Sequence, residues 1–172
     1  MKILLTGGGT AGSVTPLLAI AKAMPEDDFL FWGTASGPEK SLVEKDNIKF
    51  RPIISGKFRR YFSLSTPIDI IKIKLAFFQS LYLLKKEKPE VVVSAGSFVS
   101  PPVIWAAKLL GIPSLVHHQD LKMSLSTRLM KPFCSKITKA FSKIDLDAAL
   151  TGNPVRKSEA DLNLNFDNNL KT

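Results

Sequence analysis

A short apolar run leads directly into closely spaced glycines at residues 2–12, which read KILLTGGGTAG. An apolar helix pattern follows over residues 15–24, and this order is typical of a first buried parallel strand, a tight turn and a helix. Gly7, Gly9 and Gly12 satisfy the pattern G-x-G-x-x-G in that context, where backbone amides at a helix start bind phosphate. The segment therefore predicts an α/β fold with a phosphate-binding turn.

The rest of the chain continues the same alternation. Further strands are predicted at 29–33, 50–54, 91–94, 114–117, 136–140 and 148–150, and further helices at 38–45, 66–86, 101–110 and 124–133. This order predicts a doubly wound, Rossmann-like parallel sheet in one domain covering residues 1–157. Residues 158–172 are polar and rich in Asn, which indicates a tail or the start of an interdomain linker.

Composition excludes several classes of protein. The single Cys134 rules out a disulfide framework and a cysteine-based zinc site, and two histidines cannot form a three-histidine metal site. We therefore expect no metal and no cofactor. No window of about 18 uninterrupted apolar residues occurs, so we expect a cytosolic protein or one peripheral to a membrane.

Positive charge is concentrated in one part of the chain. The formal net charge is +9, and residues 49–88 carry +8 of it. Residues 68–84 also carry two apolar stripes at helical spacing, where a soluble helix needs one, and residues 56–62 alternate aromatic and basic side chains. A buried helix with a fringe of solvated lysines remains an alternative. The combination favours an anionic membrane surface. Nucleic acid is not an expected partner, because no helix-turn-helix or RNP-like pattern occurs. The residues predicted at the membrane are Lys57, Phe58, Arg59, Arg60, Tyr61, Lys72, Lys74, Phe77 and Phe78.

Three more polar segments follow predicted strands. Residues 94–102 form a small-residue turn before a helix, residues 117–120 read HHQD, and residues 151–156 read TGNPVR. The carboxyl ends of strands in an open α/β sheet are where ligands bind. A nicotinamide or flavin site is disfavoured, because strand two ends at Gly33 and Thr34 without the carboxylate that such a site needs.

Together these segments resemble the N-terminal half of the MurG-type glycosyltransferases, GT-B enzymes of family 28. The matching stretches are residues 8–16, 96–100, 109–120 and 152–156, in that order. The resemblance implies one Rossmann-like lobe of a GT-B enzyme that acts in peptidoglycan synthesis. Such enzymes transfer N-acetylglucosamine from UDP-N-acetylglucosamine to undecaprenyl-diphosphate-muramoyl-pentapeptide. It implies partners of three kinds: the polyprenyl-diphosphate-linked acceptor, the donor held by a second domain, and the anionic cytoplasmic leaflet of the bacterial plasma membrane.

The resemblance also implies site residues. Those expected to bind substrate are Gly8, Gly9, Thr10, Ala11, Gly12, Ser13, Gly96, Ser97, Phe98, Gln119, Asn153 and Arg156. The family usually has His at position 13 and Glu at position 118, where this chain has Ser13 and His118. Because a hydroxyl cannot replace imidazole as a base at neutral pH, proton transfer is expected from His117, His118 or Asp120.

We do not expect this chain to catalyse transfer alone, because both substrates must be aligned in one cleft. Two other functions stay open: a non-catalytic binding or scaffold module derived from this fold, and an unrelated phosphate- or nucleotide-binding Rossmann domain.

Overall fold

The computed structural model describes residues 1–56 and 66–155, which form a seven-stranded parallel sheet with helices on both faces. The strands are β1 (Lys2–Thr6), β2 (Asp28–Gly33), β3 (Lys49–Pro52), β4 (Val91–Ser94), β5 (Ser114–His118), β6 (Lys136–Lys139) and β7 (Ala149–Leu150). The helices are α1 (Thr15–Ala23), α2 (Glu39–Lys45), α3 (Thr66–Glu87), α4 (Ser100–Leu109) and α5 (Leu125–Met130), and a short 3₁₀ turn spans Ala11–Ser13.

The sheet has the order β3-β2-β1-β4-β5-β6-β7. The chain moves outward from β1 to β3, returns to place β4 beside β1, and then moves outward in the other direction. The strand order therefore reverses between β1 and β4, and their carboxyl ends diverge into a crevice at that point. The doubly wound α/β fold predicted from the sequence is confirmed.

Two hydrophobic clusters cover the two faces of the sheet. Leu4 contributes to one, together with Leu84 of α3 and Ile104 of α4. Its neighbours Ile3 and Leu5 contribute to the other, which contains residues of α1 and α2. Successive side chains of a strand point to opposite faces, so an uninterrupted apolar strand such as β1 builds both clusters at once.

The strand and helix boundaries differ from the predicted ones at β3 and α5. The amide of Ile54 donates to Oε1 of Gln79 over 2.8 Å, so the chain leaves the ladder before the predicted end of β3. Helix α5 begins after Ser124, whose Oγ accepts from the amide of Thr127. It ends at Met130, three residues before the predicted end.

Candidate functional site

The turns after β1, β4 and β5 surround a cavity of about 390 Å³ at the reversal point of the sheet. Glycines, hydroxyl groups and one carboxylate line it: Gly8, Thr10, Gly12, Ser13, Ala95, Gly96, Ser97, Phe98, Gln119, Asp120, Ser124 and Ser126. We call this space the acceptor cavity, because the sequence analysis predicts that the acceptor diphosphate binds there. Three segments that the sequence singled out separately are therefore brought together by the parallel topology.

The glycine loop, residues 7–12, is held from inside by Ser13. The Ser13 side chain is buried, and its Oγ accepts from the amide of Gly8 at 3.2 Å while lying 3.1 Å from the carbonyl oxygen of Thr10. This hydroxyl is used by the loop's own backbone. Position 13 therefore shapes the loop, and the assignment of Ser13 to substrate binding remains a prediction.

The remaining amides of the loop belong to exposed residues. Thr10, Ala11 and Gly12 are exposed, and within the described residues their amides donate to no other group of the protein. Free amides of consecutive residues at the start of a helical segment suit an anionic oxygen. This is the part of the glycine loop that is open to a phosphate.

Ser97 joins the turn after β4 to the glycine loop. Its Oγ donates to the carbonyl oxygen of Gly8 over 2.8 Å and accepts from the amide of Val99 at 3.2 Å. Beside it, Gly96 adopts a φ of +79°, which favours glycine. A β-carbon there would meet no atom within 4 Å, so Gly96 borders open space.

Phe98 lies over the glycine loop. A β-carbon at Gly9 would collide with the Phe98 ring, and Gly9 has a φ of +82°, so both packing and backbone conformation require glycine there. Phe98 lines the acceptor cavity on one side and a second cavity of about 540 Å³ on the other. The aromatic ring therefore separates two spaces.

Gln119 connects all three turns. Its Nε2 donates to the carbonyl oxygen of Gly12 over 3.0 Å and to that of Ala95 over 3.1 Å. Because one amide group bridges the turns after β1 and β4 from the end of β5, Gln119 fixes the width of the acceptor cavity. Asp120 follows it, exposed and lining the same cavity.

His117 of β5 is buried and does not line the acceptor cavity. Its Nδ1 is 2.9 Å from Oγ1 of Thr138, and its Nε2 is 3.1 Å from Oδ1 of Asn153. Burial lowers the pKa of His117 below its usual value, the hydrogen bond with Asn153 opposes this, and His118 adds a smaller lowering. Asn153 thus contacts His117 and does not line the acceptor cavity. Its assignment to substrate binding and that of His117 to proton transfer remain predictions.

His118 is also buried and reaches the cavity through hydroxyl groups. Its Nδ1 is 3.1 Å from Oγ1 of Thr127, which lies 2.9 Å from Oγ of Ser124, and Ser124 in turn lies 3.0 Å from Oγ of Ser126. Ser124 and Ser126 line the acceptor cavity. Of the three residues predicted to transfer a proton, Asp120 is the one whose side chain borders the cavity directly.

Sequence reasoning missed a carboxylate at the end of β2. Glu39, the first residue of α2, is fully buried, and its Oε1 accepts from the amide of Thr34 over 2.7 Å. Both of its oxygens lie 3.3 Å from the amide of Gly9. The strand itself ends without a carboxylate, as the sequence predicts, and the buried carboxylate beside it comes from the next helix.

Helix α3 forms a second candidate surface. Ile71, Leu75, Phe78 and Tyr82 are all at least half exposed, the last two at 65%, and we call them the exposed stripe of α3. Lys72 and Lys74 are exposed beside it. Phe77, predicted in the same membrane contact, is partly buried against the core, and its part in that contact remains a prediction. None of the described helices is long and apolar enough to cross a membrane.

Some predicted residues cannot be placed. Lys57, Phe58, Arg59, Arg60, Tyr61 and Arg156 lie outside the described residues, as does the predicted tail. Within residues 1–56 and 66–155, no three His, Cys, Asp or Glu side chains gather closely enough to hold a metal ion.

Comparison with known proteins gives matches over most of the chain. Residues 3–139 match the model of the glycosyltransferase family 28 N-terminal domain. A UDP-N-acetylglucosamine–N-acetylmuramyl-(pentapeptide) pyrophosphoryl-undecaprenol N-acetylglucosamine transferase of Clostridium kluyveri is 42% identical over 167 residues, covering 93% of this chain and 47% of the relative. A transferase of the same name from Clostridium botulinum strain Alaska E43 is 42% identical, covering 90% of this chain and 45% of its own length. The chain thus spans about half the length of the curated relatives it matches.

Solved structures agree on the fold. The crystal structure of Acinetobacter baumannii MurG superposes with a TM-score of 0.76 at 25% identity, covering 88% of this chain and 44% of that one. A UDP-GlcNAc 2-epimerase from Neisseria meningitidis superposes with a TM-score of 0.65 at 16% identity, over 89% of this chain and 46% of that one. The second likeness shows the shared architecture alone.

Proposed function

This chain belongs to the family of glycosyltransferase family 28 N-terminal domains, and from that premise we propose that it is the acceptor-binding half of a membrane-associated N-acetylglucosaminyltransferase. Its acceptor is undecaprenyl-diphosphate-muramoyl-pentapeptide, and the donor UDP-N-acetylglucosamine is held by a second domain or subunit. The relatives carry this activity in their names and are about twice as long as the chain.

The acceptor cavity is the observation that carries the proposal. It lies at the reversal point of the sheet and is lined mostly by glycines and hydroxyl-bearing residues, whose backbone amides and hydroxyl groups are the donors that diphosphate oxygens accept from. Ser97 and Gln119 hold its turns together. A cavity built from small residues and fixed donors fits a diphosphate better than it fits an apolar ligand.

Helix α3 supports the lipid part of the proposal. Its exposed stripe is apolar, and Lys72 and Lys74 lie beside it, a combination that binds anionic leaflets peripherally. Ile68 and Lys72 line the second cavity together with Gly9 and Phe98. The membrane-facing helix and the glycine loop are therefore neighbours, so a lipid carrier lying in the leaflet can place its diphosphate at the loop.

Proton transfer is assigned to the group after β5. In the proposed reaction the acceptor hydroxyl loses its proton to a base, its oxygen bonds to the anomeric carbon of N-acetylglucosamine, and UDP leaves with the electron pair of the broken bond. Asp120 borders the cavity and is the proposed base. His118 is linked to the same space through Thr127 and Ser124, and His117 positions the loop that carries Asn153.

The proposal is tested by supplying the chain with a donor-binding domain. The chain is mixed or co-expressed with the C-terminal half of the Clostridium kluyveri relative, UDP-N-acetylglucosamine and a polyprenyl-diphosphate-muramoyl acceptor. We expect sugar transfer, and we expect Asp120→Asn to lower it by about 10²-fold or more, the lower range for loss of a general base. Asp28→Asn is the matched control, because Asp28 is exposed at the amino end of β2. Pyrophosphate binding without transfer would assign a non-catalytic binding module instead.

A further inference from the structure

Three glycines make room for the buried side chain of Glu39. A β-carbon at Gly8 or Gly37 would collide with its carboxylate, and one at Gly33 would lie 2.8 Å from its Cγ. These glycines come from the glycine loop, from the end of β2 and from the loop before α2. Gly8, which lies within the predicted phosphate-binding turn, is therefore required by a residue of the protein itself.

The carboxylate accepts hydrogen bonds from backbone and side chain. The amides of Gly9 and Thr34 and the hydroxyl of Thr34 all donate to it. All three of these partners are donors, so they match the carboxylate as an acceptor. From the interior of the protein, Glu39 thus accepts the hydrogen bonds of the donors on the β2 side of the glycine loop. A dinucleotide-binding fold places its ligand on that side.

We propose that Glu39 is a specificity-determining residue that closes the β2 side of the glycine loop to phosphate and so confines the diphosphate to the acceptor cavity. The inference rests on the proposed function for the identity of the ligand. The Gly9 amide is already engaged, and a second anion on that side would meet the negative charge of Glu39 in surroundings that screen it poorly. The amides of Thr10 and Gly12, on the acceptor-cavity side, donate to no carboxylate of the described residues, and Asp120, which also lines this cavity, is exposed to solvent that screens its charge.

The second cavity lies next to the side of the glycine loop that Glu39 closes. It borders Gly9, Thr34 and Gly37, the residues that enclose Glu39, but the carboxylate itself is not exposed to it. Lys72 and Asp69, which carry opposite charges, also line it. The space beside the β2 side is thus open, while the backbone amides of Gly9 and Thr34 that border it already donate to Glu39.

The first experiment tests whether Glu39 fills an anion site. Glu39→Ala leaves its donors without an acceptor, so we expect a lower Tm that sodium formate raises in a concentration-dependent way, relative to sodium chloride of equal ionic strength. Wild type and Glu44→Ala are the references, because Glu44 is an exposed glutamate of the same helix. An equal formate effect on all three proteins would overturn the proposal.

The second experiment locates the diphosphate. Inorganic pyrophosphate is titrated into the ¹⁵N-labelled 172-residue chain. In wild type we expect shifts at the amides of Gly12 and Ser97 but not at Gly9 and Thr34. In Glu39→Ala, Gly9 and Thr34 join the shifted set, and Glu39→Gln serves if the alanine variant does not fold. Shifts at Gly9 and Thr34 in wild type as large as those at Gly12 would overturn the proposal.

The two failures are distinguishable. If pyrophosphate shifts no amide of wild type or variant, the proposed diphosphate ligand is wrong. The formate comparison then decides alone whether Glu39 fills an anion site, because it requires no substrate.

Discussion

The hydroxyl of Ser97 donates a hydrogen bond of 2.8 Å to the carbonyl oxygen of Gly8, which lies 89 residues earlier in the chain. This bond joins the turns after β1 and β4 where the strand order reverses. Residues of both turns line the acceptor cavity, so the spacing of the turns sets which ligand fits. Ser97 therefore positions the site without needing to contact the substrate.

Replacing Ser97 should weaken diphosphate binding more than its cost in stability explains. For Ser97→Ala we expect a loss of about 1 kcal/mol in the free energy of unfolding, typical for one hydrogen bond, and a higher Kd for pyrophosphate by calorimetry. Ser100→Ala is the control, because the buried Ser100 hydroxyl also donates to a backbone carbonyl, that of Thr6, away from the cavity. An equal rise in Kd for both variants would contradict a positioning role for Ser97.

Gln119 offers a second, independent test of the same cavity. Gln119→Met keeps the shape of the side chain and removes both donors, to Gly12 and Ala95. We expect about 1 kcal/mol of destabilisation and weaker pyrophosphate binding, since the three turns are no longer tied together. Gln79 of α3 accepts a hydrogen bond from the amide of Ile54. Gln79→Met removes this single acceptor and should leave the Kd for pyrophosphate unchanged. Tight binding by the Gln119 variant would show that the cavity keeps its width without this bridge.

His117 predicts the direction of a pH effect on stability. Burial lowers the folded-state pKa of His117 below the ordinary value of 6.5. As the pH falls below 6.5, the unfolded chain therefore binds a proton at this imidazole before the folded chain does. The free energy of unfolding should therefore decrease on acidification through that window, by at most about 1.4 kcal/mol per pH unit for one proton. His117→Gln should flatten this part of the profile in denaturant unfolding. Thr138→Val removes a hydrogen-bond partner of His117 but keeps the imidazole, so its slope should persist.

The alternation of elements could be predicted because each carries a local signal. The apolar runs of β1 and β4 and the glycine at the end of α4 mark boundaries through backbone preference and burial, and the structure reproduces them. The two apolar stripes of α3 could also be predicted from the sequence. In the structure one packs beside α4 and the other is exposed. Period and composition suffice for these features because they depend on neighbours within a few residues.

Side-chain placement in the site could not be predicted in the same way. Whether His117 faces the cavity or packs behind it depends on Thr138 and Asn153, which are brought to it by strand pairing and by the chain after β7. Glu39 was missed because a carboxylate near the glycine loop is usually sought at the end of β2, whereas the carboxylate of Glu39 reaches the loop from α2 and is buried there. Such contacts are set by tertiary packing.

The exposed stripe of α3 provides the last prediction, which concerns the membrane. Lysines near an anionic leaflet contribute about 1 kcal/mol each, so Lys72→Glu with Lys74→Glu should lower co-sedimentation with anionic vesicles by at least about tenfold. This loss should shrink with added salt, which screens charge over about 8–10 Å. Lys108→Glu with Lys136→Glu is the control, because it makes the same change in net charge at exposed positions elsewhere.

The apolar side chains of the exposed stripe of α3 give the second part of the membrane prediction. Phe78→Ser with Tyr82→Ser should lower binding to anionic and neutral vesicles alike, because both side chains are 65% exposed and lose apolar area that would be buried in lipid. Leu109→Ser, at a leucine 67% exposed on α4, is the matched control. Equal binding of the wild-type chain to neutral and anionic vesicles would contradict the electrostatic part, and an unchanged double serine variant would contradict the apolar part.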